Sequence, residues 1–171
     1  FAGIEVGPSV AGRIYHQQPP PTPWTGTLQA DTTLGPEQGA ILIQDKLVIP
    51  AGLTLSIQPG STLFFEGTAS IEVQGVFNGI GTSQSPILIA PSDYAESTTS
   101  LTLQINEDTA SLHLEHVQAW NLTVSAATGP EAATALLRNC RLVKFAPGPI
   151  LHAGNQTSLT VEQSSFTHAA G

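Results

Sequence analysis

A single cysteine, Cys140, serves the whole chain of 171 residues, which excludes an internal disulfide framework and a cysteine-based zinc site. Charge is nearly as scarce. Only 11% of the residues are Asp, Glu, Lys or Arg, against roughly 25% in typical soluble domains, so Thr, Ser, Gln and Asn must supply most of the polar surface. Thirteen acids and five bases leave a net charge of −8. That sign opposes nucleic acid or anionic lipid as a partner and suits a divalent cation or a basic protein patch. Methionine is absent and Phe1 comes first, as in a processed product or a fragment. Loss of an export signal is the expected reason, and a secreted or cell-surface location follows from it. No apolar run approaches the roughly 20 residues that span a bilayer, and no window keeps a helical period for three turns.

What the chain does have is proline near one end and short alternating runs everywhere else. "HQQPPPTPW" holds four prolines between residues 19 and 23. Each fixes φ and withholds a backbone donor, so residues 1–24 are expected to form an extended proline-rich arm. The arm reads as a linker or a strap along the body, with docking to a partner as the alternative. Residues 25–171 read as one domain. Leu53 to Ile57, Ile71 to Val73, Leu101 to Ile105 and Leu159 to Val161 all alternate apolar and polar residues and stop at turn residues. "PEAATALLRN" is helical by propensity, but its pattern fits a strand better.

Strands this short cannot bury a core with one partner, so the test is self-similarity at a fixed offset. An offset of 24 carries Leu47 to Ile71, Ile49 to Val73, Leu53 to Phe77, Leu63 to Ile87, Phe65 to Ile89 and Leu88 to Leu112. Leu112 then reaches Ala135 and Leu159, while Leu114, Leu137 and Val161 fall in one column. A coil of constant circumference has this property, its laps stacking at about 4.8 Å. The expected fold is all-β, a right-handed parallel β-helix (β-solenoid) of about five coils.

The polar positions follow the same register. Glu115, Arg138 and Glu162 form a column of alternating charge, and His116, Asn139 and Gln163 form the next, all able to donate and accept along the stack. Cys140 falls beside Val117 and Ser164 as a small, part-buried thiol.

The stretch "LVIPAGLTLSIQPGSTLFFEGTASIEVQGVFNGIGTSQSPILIAP" resembles the N-terminal coils of right-handed parallel β-helix proteins of the pectate-lyase-like superfamily. The matching features are Pro50-Ala51-Gly52 before an alternating strand, Gln58-Pro59-Gly60-Ser61-Thr62, the step from Glu72 to Gly75, and Gly81 to Ala90. "LRNCRLVKF" and "LTVEQSSFTHA" look like its later coils, so the resemblance covers roughly residues 25–171. It implies the fold. It does not select an activity, because that superfamily includes lyases, hydrolases, esterases, phage spikes, adhesins and non-catalytic surface modules.

Lyases of this kind are implied to use acids for Ca²⁺ and an Arg or Lys as base. After residue 47 the bases are Arg138, assigned above to the charge column, and Arg141 and Lys144, expected to be solvated surface charge. Glu107 and Asp108 could offer oxygens to calcium or simply mark a turn, whereas Asp31, Glu37 and Asp45 lack ligand spacing. No paired-carboxylate element falls where a hydrolase would need it. His113 and His116 point to opposite faces of a strand, and His152 and His168 belong to other turns, so no metal site is expected. No cofactor is expected beyond a weak case for calcium. Trp24 and Trp120 are candidate interaction residues for sugar, against packing roles over the first coil and under a loop. Asn121 and Asn155 match the N-glycosylation pattern. Threonine does not recur in columns at the 24-residue offset, which disfavours ice binding.

A solenoid has two edges that need covering. Here "SLTVEQSSFTHAAG" runs to the last residue in a mid-coil pattern, so the chain continues, pairs with another molecule, or caps itself with a short tail. The expected function is non-catalytic: an exported structural or interaction module. It assembles into a surface layer, filament or larger complex through its final coil and its arm, with other chains or copies of itself as partners. A carbohydrate-active lyase or hydrolase and a carbohydrate-binding adhesin are the alternatives.

Overall fold

Among the described residues every strand pairs with strands of neighbouring laps, on both sides within the stack and on one side at its ends. The computed structural model describes residues 21–92, 99–107, 109–126, 133–145, 147–154 and 157–168. Most of the expected arm therefore lies outside the described residues. The chain runs through β1 (Thr22–Thr27), β2 (Thr32–Leu34), a 3-10 turn at Pro36–Gln38, β3 (Ile41–Ile49), β4 (Thr54–Ile57), β5 (Thr62–Phe65), β6 (Thr68–Val73), β7 (Val76–Ile80) and β8 (Ile87–Pro91). It continues through β9 (Ser100–Ile105), β10 (Ser111–Glu115), β11 (Val117–Trp120), β12 (Leu122–Ala126), β13 (Thr134–Arg138), β14 (Arg141–Lys144), β15 (Leu151–Ala153), β16 (Ser158–Glu162) and β17 (Ser165–His168). The stretch with helical propensity thus contributes strand β13.

These strands form three parallel faces. Face 1 stacks β1, β3, β5, β8, β11, β14 and β17; face 2 stacks β3, β6, β9, β12 and β15; face 3 stacks β2, β4, β7, β10, β13 and β16. Strand β3 runs through a corner, with Ile41–Ile43 paired to β5 and Lys46–Ile49 paired to β6. The protein is a parallel β-solenoid of about five turns.

Alternation sends one side chain in two into a continuous interior. Leu55, Phe77, Leu112 and Ala135 stack up face 3 at 1, 1, 1 and 2% exposure. Each buried Leu, Ile or Val stabilises the fold by roughly 1.5–3 kcal/mol relative to exposure. The two motifs behind the resemblance close tight turns: Leu53 N–H donates to the Pro50 carbonyl and Ser61 N–H to that of Gln58. Gly52 and Gly60 take φ of 81° and 80° at the third position, where a side chain would be strained.

Several expected columns hold, including Leu47 on Ile71, Ile49 on Val73, and Leu114 on Leu137 on Val161. Four others are corrected. Phe77 lies against Leu55 rather than Leu53, Leu63 against Ile89, Phe65 against Pro91, and Leu88 against Gln118 on face 1. The circumference is not constant. It ranges from 19 residues, Thr22 to Ile41, to 35 residues, Phe77 to Leu112. Hydrogen bonds fix the register within strands, while corners take extra residues at little cost in closure entropy.

Two corners are turned by single residues in the left-handed region. His116, Asn139 and Gln163 have φ of 49°, 53° and 48° between faces 3 and 1, and Asn121 has φ of 54° between faces 1 and 2. Such backbone is tolerated best by Asn and Gly. Asn139→Val is therefore expected to lower stability by about 1–2 kcal/mol while Asn139→Gly does not, read as the shift in a denaturation midpoint.

Candidate functional site

The charge column is present, and it pairs unequally. Glu115, Arg138 and Glu162 occupy consecutive rungs of face 3. Arg138 Nε donates to Glu162 Oε2 at 2.7 Å, and that bond, more than the field of Glu115, raises the guanidinium pKa further above its ordinary value. Glu115 instead turns to its own strand, with Oε2 3.5 Å from His113 Nε2. The separation lacks hydrogen-bond geometry, and His113 Nε2 is buried with no hydrogen-bond partner among the described residues. All three members of the column are solvent-facing enough for screening to hold their contribution to a small one.

His116, Asn139 and Gln163 occupy one corner column. What they share is conformation, and their backbone amides do the stitching. His116 N–H donates to Arg138 O at 3.1 Å and Asn139 N–H to Glu162 O at 3.0 Å. Cys140 sits just inside at 3% exposure, its amide donating to Ser164 Oγ at 3.0 Å. Burial raises the thiol pKa above its ordinary value, against the smaller opposing effect of backbone hydrogen bonds. Native protein is accordingly expected to leave Cys140 unreacted toward a thiol reagent that labels it promptly in denaturant, which thiol titration will read directly.

Trp24 packs, half-buried, against the main core from β1. Trp120 stands on the outer side of face 1 against a separate cluster of Ala40, Leu42, Phe64 and Ala90. Nearly a hundred residues apart in sequence, the two tryptophans serve different clusters. Asn121 is 3% exposed, and its carboxamide oxygen accepts from Phe145 N–H at 2.7 Å. The first glycosylation triplet therefore begins at a packed corner whose amide is already engaged. Asn155 lies outside the described residues.

Arg141 is exposed, as expected. Lys144 is not. It is 3% exposed, a correction to its expected place in solvent. Leu142 and Lys144 share one parity of β14, so the Lys144 stem starts on the inner side, at the last position of the strand beside the corner between faces 1 and 2. Its ammonium donates to Thr123 Oγ1, which donates in turn to the Pro149 carbonyl at 3.1 Å. Desolvation lowers the Lys144 pKa below its ordinary value.

Glu107 is exposed at a turn, and Asp108 lies outside the described residues. Among the described residues no three His, Cys, Asp or Glu side chains gather so as to hold a metal ion. A shallow polar depression among the described residues is lined by Gln44, Asp45, Glu66, Gly67 and Thr68. Beside it Lys46 pairs with Glu72, whose carboxyl pKa is lowered first by that bond and next by Gln74. No helix among the described residues is long and apolar enough to cross a membrane.

The final lap differs from all the others. Leu137 is 0% exposed, whereas Val161, its neighbour one rung on, is 39% exposed. Leu159 and Phe166 are half-buried where Ala135 and Leu142 beneath them are buried. The last strand of each face also leaves one row of backbone groups unpaired within the sheet order.

Fold and surface together define a parallel β-solenoid whose last described lap leaves interior apolar side chains partly exposed. The chain matches no protein-family model, no curated protein and no solved structure.

Proposed function

We propose that this chain is a non-catalytic, exported interaction module of the right-handed parallel β-helix type, akin to the pectate-lyase-like superfamily, and that it assembles through its final lap. The observation that carries this reading is the jump in exposure from Leu137 to Val161 within one column. Apolar interior side chains and unpaired strand edges in one plane favour the addition of another coil, in the manner of strand augmentation. That coil can come from further sequence of the same polypeptide or from a second molecule. The unpaired edge and the flat, weakly charged faces fit a structural layer or complex better than a catalyst.

Light scattering over a concentration series tests the reading. The mass is expected to rise above 17.8 kDa with concentration and to fall back with Val161→Glu. A strictly monomeric particle at every concentration overturns it.

One observation favours a carbohydrate lyase instead. Desolvation moves the Lys144 pKa downward, the direction that a proton-abstracting base requires. At 3% exposure, however, its amine is out of reach of a polysaccharide. Release of unsaturated sugar from acidic glycans, with and without calcium, decides between the two.

A further inference from the structure

The two ends of the stack are finished differently. At the first lap the chain's own side chains blunt the outer edge. Leu34 O accepts from Gln58 N–H at 2.8 Å on the β4 side, so alternation turns Thr33 O and Gly35 N–H toward the free edge of β2. Gln38 engages both: its Nε2 donates to Thr33 O at 3.5 Å, and its Oε1 accepts from Gly35 N–H. Just past β1, Leu28 N–H donates to Val48 O, which leaves Thr27 O facing outward, and Gln29 Nε2 donates to it at 3.0 Å. The interior leucines of this lap, Leu28 and Leu34, are only 6 and 4% exposed. Carboxamides bonded along an edge exclude another strand there.

The last lap has no such finish among the described residues. Ser158 N–H donates to Ala133 O and Glu162 O accepts from Asn139 N–H, both on the β13 side. Alternation therefore turns the N–H and C=O groups of Leu159 and Val161 to the free edge of β16, where no described residue bonds to them.

We propose that the partner at the last lap is a second copy of this chain, joined last lap to last lap about a two-fold axis through the middle of β16. The proposal rests on the assembly reading above and narrows it to a closed dimer. Head-to-tail addition needs an open first lap, and that lap is blocked, so two copies are left with an isologous contact. The strand ends select the axis. β15, β16 and β17 end faces 2, 3 and 1 in chain order, and the helical rise sets each a fraction of a rung above the one before. An axis through β16 lays the high β17 of one copy over the low β15 of the other, which closes the step on both sides. An axis through β15 or β17 sets high on high and leaves a gap.

The register follows. Across the axis the two β16 strands run antiparallel. Centred on Thr160, Leu159 of each copy meets Val161 of the other, and their free N–H and C=O groups exchange bonds as a hydrogen-bonded pair. Both side chains lie on the interior side, because Ala135 and Leu137 on the rung beneath are buried. Glu162 meets Ser158 of the other copy, so like charges do not oppose each other. Centring on Leu159 or Val161 would instead set an apolar side chain against Thr157 or Gln163.

Thr160 falls in a non-hydrogen-bonded pair, where Cα atoms approach to about 4.5 Å, close enough for a disulfide. With oxidised glutathione, Thr160→Cys protein is expected to link to itself at position 160. The rate is expected to be at least about tenfold that at which Thr33→Cys protein links at position 33 on the blocked lap. Buried Cys140 stays reduced and reports that each variant is folded. In an equimolar mixture of the two, peptide mapping is expected to find the 160-to-160 link and no 33-to-160 link. Light scattering on the unmodified chain is expected to level off at twice 17.8 kDa. A mass that climbs past two copies, or a 33-to-160 link, overturns the two-fold contact and leaves the assembly reading standing. A plateau at two copies without the 160-to-160 link overturns it as well. A strictly monomeric chain overturns both.

Discussion

Leu137→Ala is expected to destabilise the chain by about 2–5 kcal/mol, and Val161→Ala by less than about 1 kcal/mol. The two residues are neighbours in one column of face 3, alike in hydrophobicity and local backbone. They differ in what lies above. Leu137 is 0% exposed, held between Leu114 and Val161. Removing three of its carbons forfeits their transfer free energy and leaves a cavity that stacked strands cannot collapse. Val161 has Leu137 on one side and solvent on the other, so truncation there removes few contacts and opens no cavity. Urea titrations read the pair as a shift in midpoint at unchanged slope for Leu137→Ala and almost none for Val161→Ala. Equal costs at the two positions in dilute, monomeric protein would mean that the final lap is already covered without a second molecule, and the assembly reading would fall with it.

The architecture was legible wherever polar and apolar side chains agreed on a register. From Leu112 to Val161 the charge column, the corner column and the interior column all shift together by 23 or 24 residues, and the observed pairing follows them. The earlier laps were misaligned because a uniform offset was carried across corners of unequal length. The lap from Phe77 to Leu112 takes 35 residues, and there Leu88 was assigned to the wrong face. Inward Leu and Ile residues are interchangeable to a periodicity test, so an apolar match alone cannot detect a slip of two residues.

The candidate residues were legible as positions and less so as roles. His116, Asn139 and Gln163 were grouped for their side-chain hydrogen bonding, yet φ is what unites them. Backbone conformation is only weakly encoded by His or Gln, and Asn was the one hint. Lys144 was misplaced although its parity with Leu142 was in plain view; the prior that lysine is solvated outweighed the pattern. The apolar column of face 1 could not be seen from sequence at all. Leu42, Phe64, Ala90 and Trp120 come together only once laps of different length are in register.

Replacing Lys144 by Met is expected to stabilise the protein at neutral pH, because a charge drawn out of water without a counter-ion carries a desolvation cost that an apolar side chain of similar length does not. Methionine keeps the length and flexibility of the aliphatic stem and fills the same irregular space. What it removes is the ammonium of a residue that is 3% exposed, which donates to one hydroxyl and has no ion pair among the described residues. The pH dependence separates this cause from a simple gain in packing. Because desolvation lowers the folded-state pKa below the ordinary 10.5, the unfolded chain binds the proton more tightly than the folded one. Stability must then rise with pH between the folded-state pKa and 10.5, as the buried amine is released from carrying charge. Below the folded-state pKa the penalty is present in full. Denaturation midpoints of the native chain should climb across that alkaline window relative to those of Lys144→Met, so that the advantage of the variant narrows as pH rises. A constant difference at every pH would show that the ammonium is solvated in the folded chain and that its burial carries no electrostatic cost.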